Sequence, residues 1–156
     1  MTLPALDELS YEAGIRALDL QERGVEQLRS RTGVLLAASS LTASFLGGQT
    51  VSHTNALDSL VTLALLSLAA SIGLSVYVLL PKSGFVFSLS GTRMLDELSG
   101  VDDEHEVRRR LIYWLEEYWE SNQAKIDALS RYFLCAALAL VLQLVFWSLA
   151  LAGTIS

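Results

Sequence analysis

Three stretches of the chain carry no Asp, Glu, Lys or Arg: residues 32–57, 59–81 and 132–156. Charged segments separate them, and there apolar residues recur at helical spacing. A helix needs about 20 consecutive apolar residues to cross a hydrocarbon core. Each charge-free stretch meets that length. The pattern predicts three transmembrane helices, at 32–51, 59–81 and 132–153, with an external loop at 52–58.

The charged segments read as helices that run into two of these spans. Over residues 1–31, Tyr11, Leu18, Val25 and then Thr32 recur every seven positions. Gly14, Gln21 and Leu28 fill the intermediate positions. This is a ragged heptad seam, too short and polar to define a coiled coil alone. No breaker separates it from the first span, so one helix is expected from about Ala5 to about Leu46, roughly 60 Å long. Over residues 102–131, Asp102 or Asp103 suits an N-cap, and Glu104 and Glu106 suit a helix N-terminus. Leu111, Leu115, Tyr118, Asn122, Ile126, Leu129 and Phe133 then form one stripe, flanked by Trp114 and Trp119. This helix is expected from about Asp103 to about Ala152, roughly 75 Å. The predicted fold class is an all-α integral membrane protein. Its first and third spans continue into long cytoplasmic helices packed together.

The segment 82–101 has a different rhythm. Pro81 and Lys82 stop the second span, and Phe85, Phe87 and Leu89 then alternate with other residues. A period of two does not suit a helix. We expect an extended interfacial strap with Phe85, Phe87 and Leu89 turned into lipid or the bundle. A short helix from Arg93 to Leu98, ended by Gly100, follows.

Composition sharpens this picture. Of 156 residues, 52% are hydrophobic and 18% are charged, below the quarter usual for soluble domains. All eleven Lys and Arg precede the first span or lie within 82–131. The positive-inside rule then makes the N-terminus and residues 82–131 cytoplasmic and the C-terminus external. The net charge of −6 is spread over mixed-charge helices. No basic face tracks a phosphate backbone, so no nucleic-acid polymer is expected as a partner. A signal peptide is a poor reading of the first stretch, because a charged helical segment precedes it. The one cysteine, Cys135, reads as a small apolar residue in the third span.

Candidate chemistry is sparse. Helices in lipid associate through small residues and interhelical hydrogen bonds. Ser40, Ser44 and Gly48 lie four apart in the first span, and Gly33 and Ala37 form another close-approach pair. In the second span Ala64, Ser67, Ser71 and Ser75 share a face, and Ala69 and Gly73 a second one. Gln143 lies mid-way along the third span, with Trp147 towards its outer end. These faces support either packing within a bundle or a hydroxyl-lined path in a homo-oligomer. No charge lies deep in a span, which argues against a proton-coupled pump. The absence of an internal repeat argues against an alternating-access carrier.

Arg108, Arg109 and Arg110 are either an anionic-ligand or lipid contact, or a solvated surface paired with Glu104, Glu106 or Glu117. Three consecutive helical positions fan over about 200° and cannot share one pocket. His53 and His105 lack companions at metal-ligand spacing. The adjacent acids Asp102 and Asp103, and Glu116 and Glu117, diverge by about 100° on a helix, so neither pair makes a dyad. No nucleotide-binding, hydrolase or metalloprotease motif is present. We read no active site and expect no cofactor.

The stretches LDLQERGVEQLRSRTGVLLAASSLTASFLGG and VLLPKSGFVFSL resemble small bacterial membrane effectors of the Pycsar transmembrane and SLATT type. Both likenesses are compositional, and together they cover roughly residues 15–90. The resemblance implies an inner-membrane protein of anti-phage defence, quiescent until a cyclic nucleotide or a regulatory protein triggers it. Such a protein oligomerises and damages the bilayer. This chain departs from that pattern by its expected third span and by showing no recognisable appended ligand domain. The expected function is therefore an oligomeric inner-membrane effector that permeabilises the membrane on a trigger. A non-conducting scaffold recruiting a soluble partner, or a holin-like phage protein, are the alternatives.

Overall fold

The computed structural model describes residues 3–49, 59–82, 84–88, 90–99 and 103–155. All regular structure among them is helical. Helix α1 spans Leu3–Thr42, and a five-residue π-helix, Ala43–Gly47, follows it directly. Helix α2 spans Ser59–Leu79, α3 spans Gly91–Leu98, and α4 spans Glu104–Ile155. The expected loop at 52–58 lies outside the described residues.

Local chemistry explains several of these limits. Asp103 caps α4: its carboxylate oxygen accepts the His105 N–H at 3.0 Å. Glu104 and Glu106 then sit in the first turn, where the helix dipole favours negative charge. The α2 helix stops just before Pro81, since a residue preceding proline is pushed out of the α region. The short helix begins at Gly91 rather than Arg93. The first long helix does not run unbroken in α form to Leu46, because the π segment intervenes. Such i→i+5 turns insert an extra residue into the helical ladder.

The chain forms two compact units. The first unit combines Met1–Glu26 with Lys82–Asp127, and the second combines Gln27–Pro81 with Ala128–Ser156.

In the first unit α1 and α4 run parallel. His105 Nδ1 stands 3.7 Å from the Asp7 carboxylate. Gly14 meets Leu115 so closely that a Cβ at Gly14 would stand 2.9 Å from Leu115 Cδ1. Gln21 Nε2 donates to the Trp119 carbonyl at 3.0 Å and to Gln123 Oε1 at 3.1 Å. Leu18, Val25, Leu111 and Leu115 are buried beside these contacts.

In the second unit Val61, Ala64, Trp147 and Ala150 form the apolar core, with Leu46, Leu60 and Phe146 packed against it. Gly47 lies beneath the Trp147 ring, where a Cβ would stand 3.3 Å from Cζ2. Tyr77 and Tyr132 meet edge to face with centroids 4.7 Å apart.

Among the described residues two helices are long and apolar enough to cross a membrane, Ser59–Leu79 and Glu104–Gly153. Only 22% of each apolar window is buried within the chain. A soluble core helix would be mostly covered. Here Leu63, Leu65, Leu66, Leu138, Val141, Leu142 and Leu149 remain exposed.

Candidate functional site

A buried polar seam ties together the three helical segments of the second unit. Ser39 on α1 is fully buried, and its hydroxyl lies 3.0 Å from the Leu35 carbonyl and 2.9 Å from Ser71 Oγ on α2. Ser71 Oγ in turn lies 3.2 Å from the Ala136 carbonyl on α4. Gln143 on α4 returns the link, its Nε2 donating to the Ser39 carbonyl at 3.1 Å.

Proton counting gives this seam a choice. Each hydroxyl carries one hydrogen, so Ser39 and Ser71 have two donors for three contacts. With Ser39 donating to Leu35, Ser71 donates to Ser39 and the Ala136 contact is empty. With Ser39 donating to Ser71, Ser71 donates to Ala136 and the Leu35 contact is empty. With Ser39 donating to Leu35 and Ser71 to Ala136, the Ser39–Ser71 contact is empty, so none of the three proton arrangements fills every contact.

The seam is also incompletely paired. Ser75 Oγ, Gln143 Oε1 and Trp147 Nε1 are buried with no hydrogen-bond partner. Ser75 and Gln143 are fully buried, and Trp147 is 1% exposed. An unpaired buried polar group costs about 1–3 kcal/mol. The cost persists in a dry apolar setting, where no water can take the missing partner's place.

The residues singled out by sequence are divided between inner and outer faces. Ser71, Ser75 and Gln143 are buried in the seam, and Ser67 is half-buried. Ser40 and Ser44 are exposed on α1 and the π segment. Each donates at 3.0 Å to the carbonyl four residues earlier, Leu36 and Ser40 respectively. Back-bonding of this kind hides a hydroxyl from an apolar surrounding. Gly48 is exposed, and a Cβ there would meet nothing within 4 Å. The same is true at Gly33 and Gly73, which make no close helix approach within the chain. Inside the chain, the neighbours Ser39 and Gly47 occupy the inner face instead of Ser40 and Gly48. A signal for Ser39 was present: it continues the seven-residue series of Leu18, Val25 and Thr32, all buried.

The strap belongs to the first unit and is held by its backbone. Asn122 is 1% exposed. Its Oδ1 accepts the Val86 N–H at 3.1 Å, and its Nδ2 donates to the Val86 carbonyl at 2.7 Å. One amide thus satisfies both backbone groups of a residue outside any helix. Lys125 Nζ donates to the Gly84 carbonyl and stands 5.8 Å from the Phe85 ring centroid. Gly84 has φ +108°, a conformation that favours glycine. Phe85 and Phe87 stack on each other with centroids 5.4 Å apart and planes 9° apart. Both are half-buried, while Val86 is exposed. Leu89 lies outside the described residues.

The arginine run is a paired surface. Arg108 Nη2 donates to Glu104 at 2.9 Å, and Arg110 Nε donates to Glu106 at 3.0 Å. Arg109 is exposed. Arg108 also lines an open groove with Glu8, Glu12 and Glu104. An anion approaching Arg108 meets carboxylates first, which disfavours binding there.

No family model, curated protein or solved structure matches this chain.

Proposed function

We propose that the chain is a membrane effector whose second unit spans the bilayer as three helical segments and permeabilises it when the polar seam opens. The observation that carries this reading is the under-satisfied seam. Ser75 Oγ, Gln143 Oε1 and Trp147 Nε1 lack partners in the closed chain. Contact with water would supply them, so opening recovers part of the cost of burial. The charge-free exposed surface suits lipid, and the charged first unit suits water.

In this reading the protein lies in a bacterial inner membrane, with the N-terminus and residues 82–131 cytoplasmic and the C-terminus outside. It works as a homo-oligomer in anti-phage defence, and a cyclic nucleotide or a regulatory protein acts on the water-exposed unit. Residues 32–51 form the first span, with the π segment inside it. The seam hydroxyls and Gln143 face a path through the membrane once the bundle opens. The test is inducible expression with a membrane-potential dye, with and without the trigger. Depolarisation that requires Gln143 supports the proposal, and an unchanged potential in triggered cells overturns it.

An open groove in the first unit favours a second reading, a non-conducting scaffold that binds a partner there. Liposomes separate the two: a scaffold releases no trapped dye at any protein density.

A further inference from the structure

The arginines of the two units are paired differently. In the first unit Arg16, Arg23, Arg108 and Arg110 each meet a carboxylate four residues away on the same helix, at 2.9–3.0 Å. In the second unit Arg29, Arg31 and Arg131 form no ion pair with any described carboxylate. Arg31 and Arg131 are exposed. Arg29 is half-buried, and its Nε is enclosed with no hydrogen-bond partner. An unpaired charge drawn partly out of water is costly. The other charged residue of this unit, Asp58, lies outside the described residues.

The three arginines stand at one level of the unit. There α1 and α4 run parallel, since the Ser39 carbonyl accepts from Gln143 and Gly47 lies against Trp147. Counting back equally from Gly47 and Trp147 brings Arg31 level with Arg131. Arg29 is roughly 3 Å further back along α1. Helix α2 runs the opposite way, with Ser71 against Ser39 and Tyr77 against Tyr132. The exposed tyrosine pair therefore stands at the arginine level. Within the next turn the exposed surface becomes apolar, with Val34 on α1 and Leu134 on α4.

At this one level the side chains point apart. Arg29 and Arg31, two positions apart, diverge by about 200°. Arg131 is on another helix, two positions past buried Leu129 and so on the outer side of α4. Side chains that fan out in this way cannot close on one small soluble anion. They can each meet a separate phosphate in a plane of headgroups.

The geometry points to Arg29, Arg31 and Arg131 as a collar that binds the phosphates of anionic phospholipids. The inference rests on the membrane reading and adds to it the lipid class that the chain selects. A guanidinium fork matches phosphate oxygens, and a phosphate on the outer nitrogens of Arg29 neutralises the charge its own chain leaves unpaired. Tyrosines beside the collar suit headgroup depth, and unpaired cations there favour an anionic leaflet.

The test reconstitutes the full chain in phosphatidylcholine vesicles with a trace of spin-labelled phosphatidylglycerol or spin-labelled phosphatidylcholine. Lipid held at the protein surface gives a motionally restricted spectral component. That component should be several-fold larger for phosphatidylglycerol, and molar salt should shrink the preference. Arg29→Gln, Arg31→Gln and Arg131→Gln together should at least halve it. An unchanged phosphatidylcholine component in this variant shows that it still folds and inserts. Should the triple variant not insert, each single substitution should lower the preference, and three without effect overturn the inference. Arg16→Gln with Arg23→Gln removes charges already paired and should leave the preference intact. Inorganic phosphate should compete no better than chloride at equal ionic strength. Equal restriction of both lipids by the native chain overturns the inference. So does a preference that the inserted triple variant keeps, or one that phosphate abolishes and chloride does not. No restricted component with either lipid overturns the membrane reading itself, and this inference with it, so the two failures are distinct.

Discussion

The two units use the same device, a helix seam with a polar side chain in it, and use it to different ends. On α4 every seventh residue from Leu115 to Ala150 is buried: Leu115, Asn122, Leu129, Ala136, Gln143 and Ala150. In the first unit the seam's apolar members are large, the Asn122 amide is paired through both its atoms, and Gln21 donates twice while its Oε1 has no partner. In the second unit small residues dominate, the links are hydroxyl bonds and one amide bond from Gln143, and four buried atoms lack partners: Arg29 Nε, Ser75 Oγ, Gln143 Oε1 and Trp147 Nε1. The hydrophobic effect drives the first seam, and in the membrane setting proposed for the second unit it would contribute little. The first seam therefore reads as a fixed clamp and the second as a joint that can be opened.

The largest test of this contrast is Trp147→Ala. It empties the core beside Gly47 and Ala64, and a loss of about 3–5 kcal/mol is expected, read as thermal aggregation in detergent. Next is Asn122→Ala. It strips both backbone partners from Val86 and should cost about 1–3 kcal/mol, with faster proteolysis near residue 86. Gly84→Ala forces a side chain into a positive-φ turn and should cost about 1–2 kcal/mol. Ser71→Val should be milder. It removes the hydroxyl link between helices, and such bonds in membranes average about 0.6 kcal/mol. If Ser71→Val proved more damaging than Asn122→Ala, the distinction between clamp and joint would collapse. Arg110→Ala is the smallest, within about 0.5 kcal/mol, since it breaks only an exposed pair with Glu106.

Much of the helical layout was legible in the sequence, because charge-free runs and seven-residue spacing report directly on it. The Asp103 cap and the stripe through Leu111, Leu115, Asn122 and Leu129 could be read from residue type and position alone. The phase of the first span could not be read from its serines. Ser40 and Ser44 share a spacing of four, but the seam has a period of seven, and that period selects Ser39. Serine is ambiguous in such a span, since its hydroxyl can bond its own helix and face outward. The strap was legible as non-helical, and its alternation set Phe85 and Phe87 on one side. Its anchor was not legible, because the Asn122 amide grips the backbone of Val86, and backbone groups leave no mark in sequence.

The most direct test of the central claim is dye release from liposomes at rising protein density, comparing the native chain with Gln143→Leu. The substitution removes the unpaired oxygen and the bond to Ser39 while nearly keeping volume, so the closed seam loses its reason to open. With the trigger supplied, the account predicts release by the native chain and at least tenfold less by Gln143→Leu at equal density. Equal release by both, or none by the native chain at any density with the trigger supplied, would contradict it.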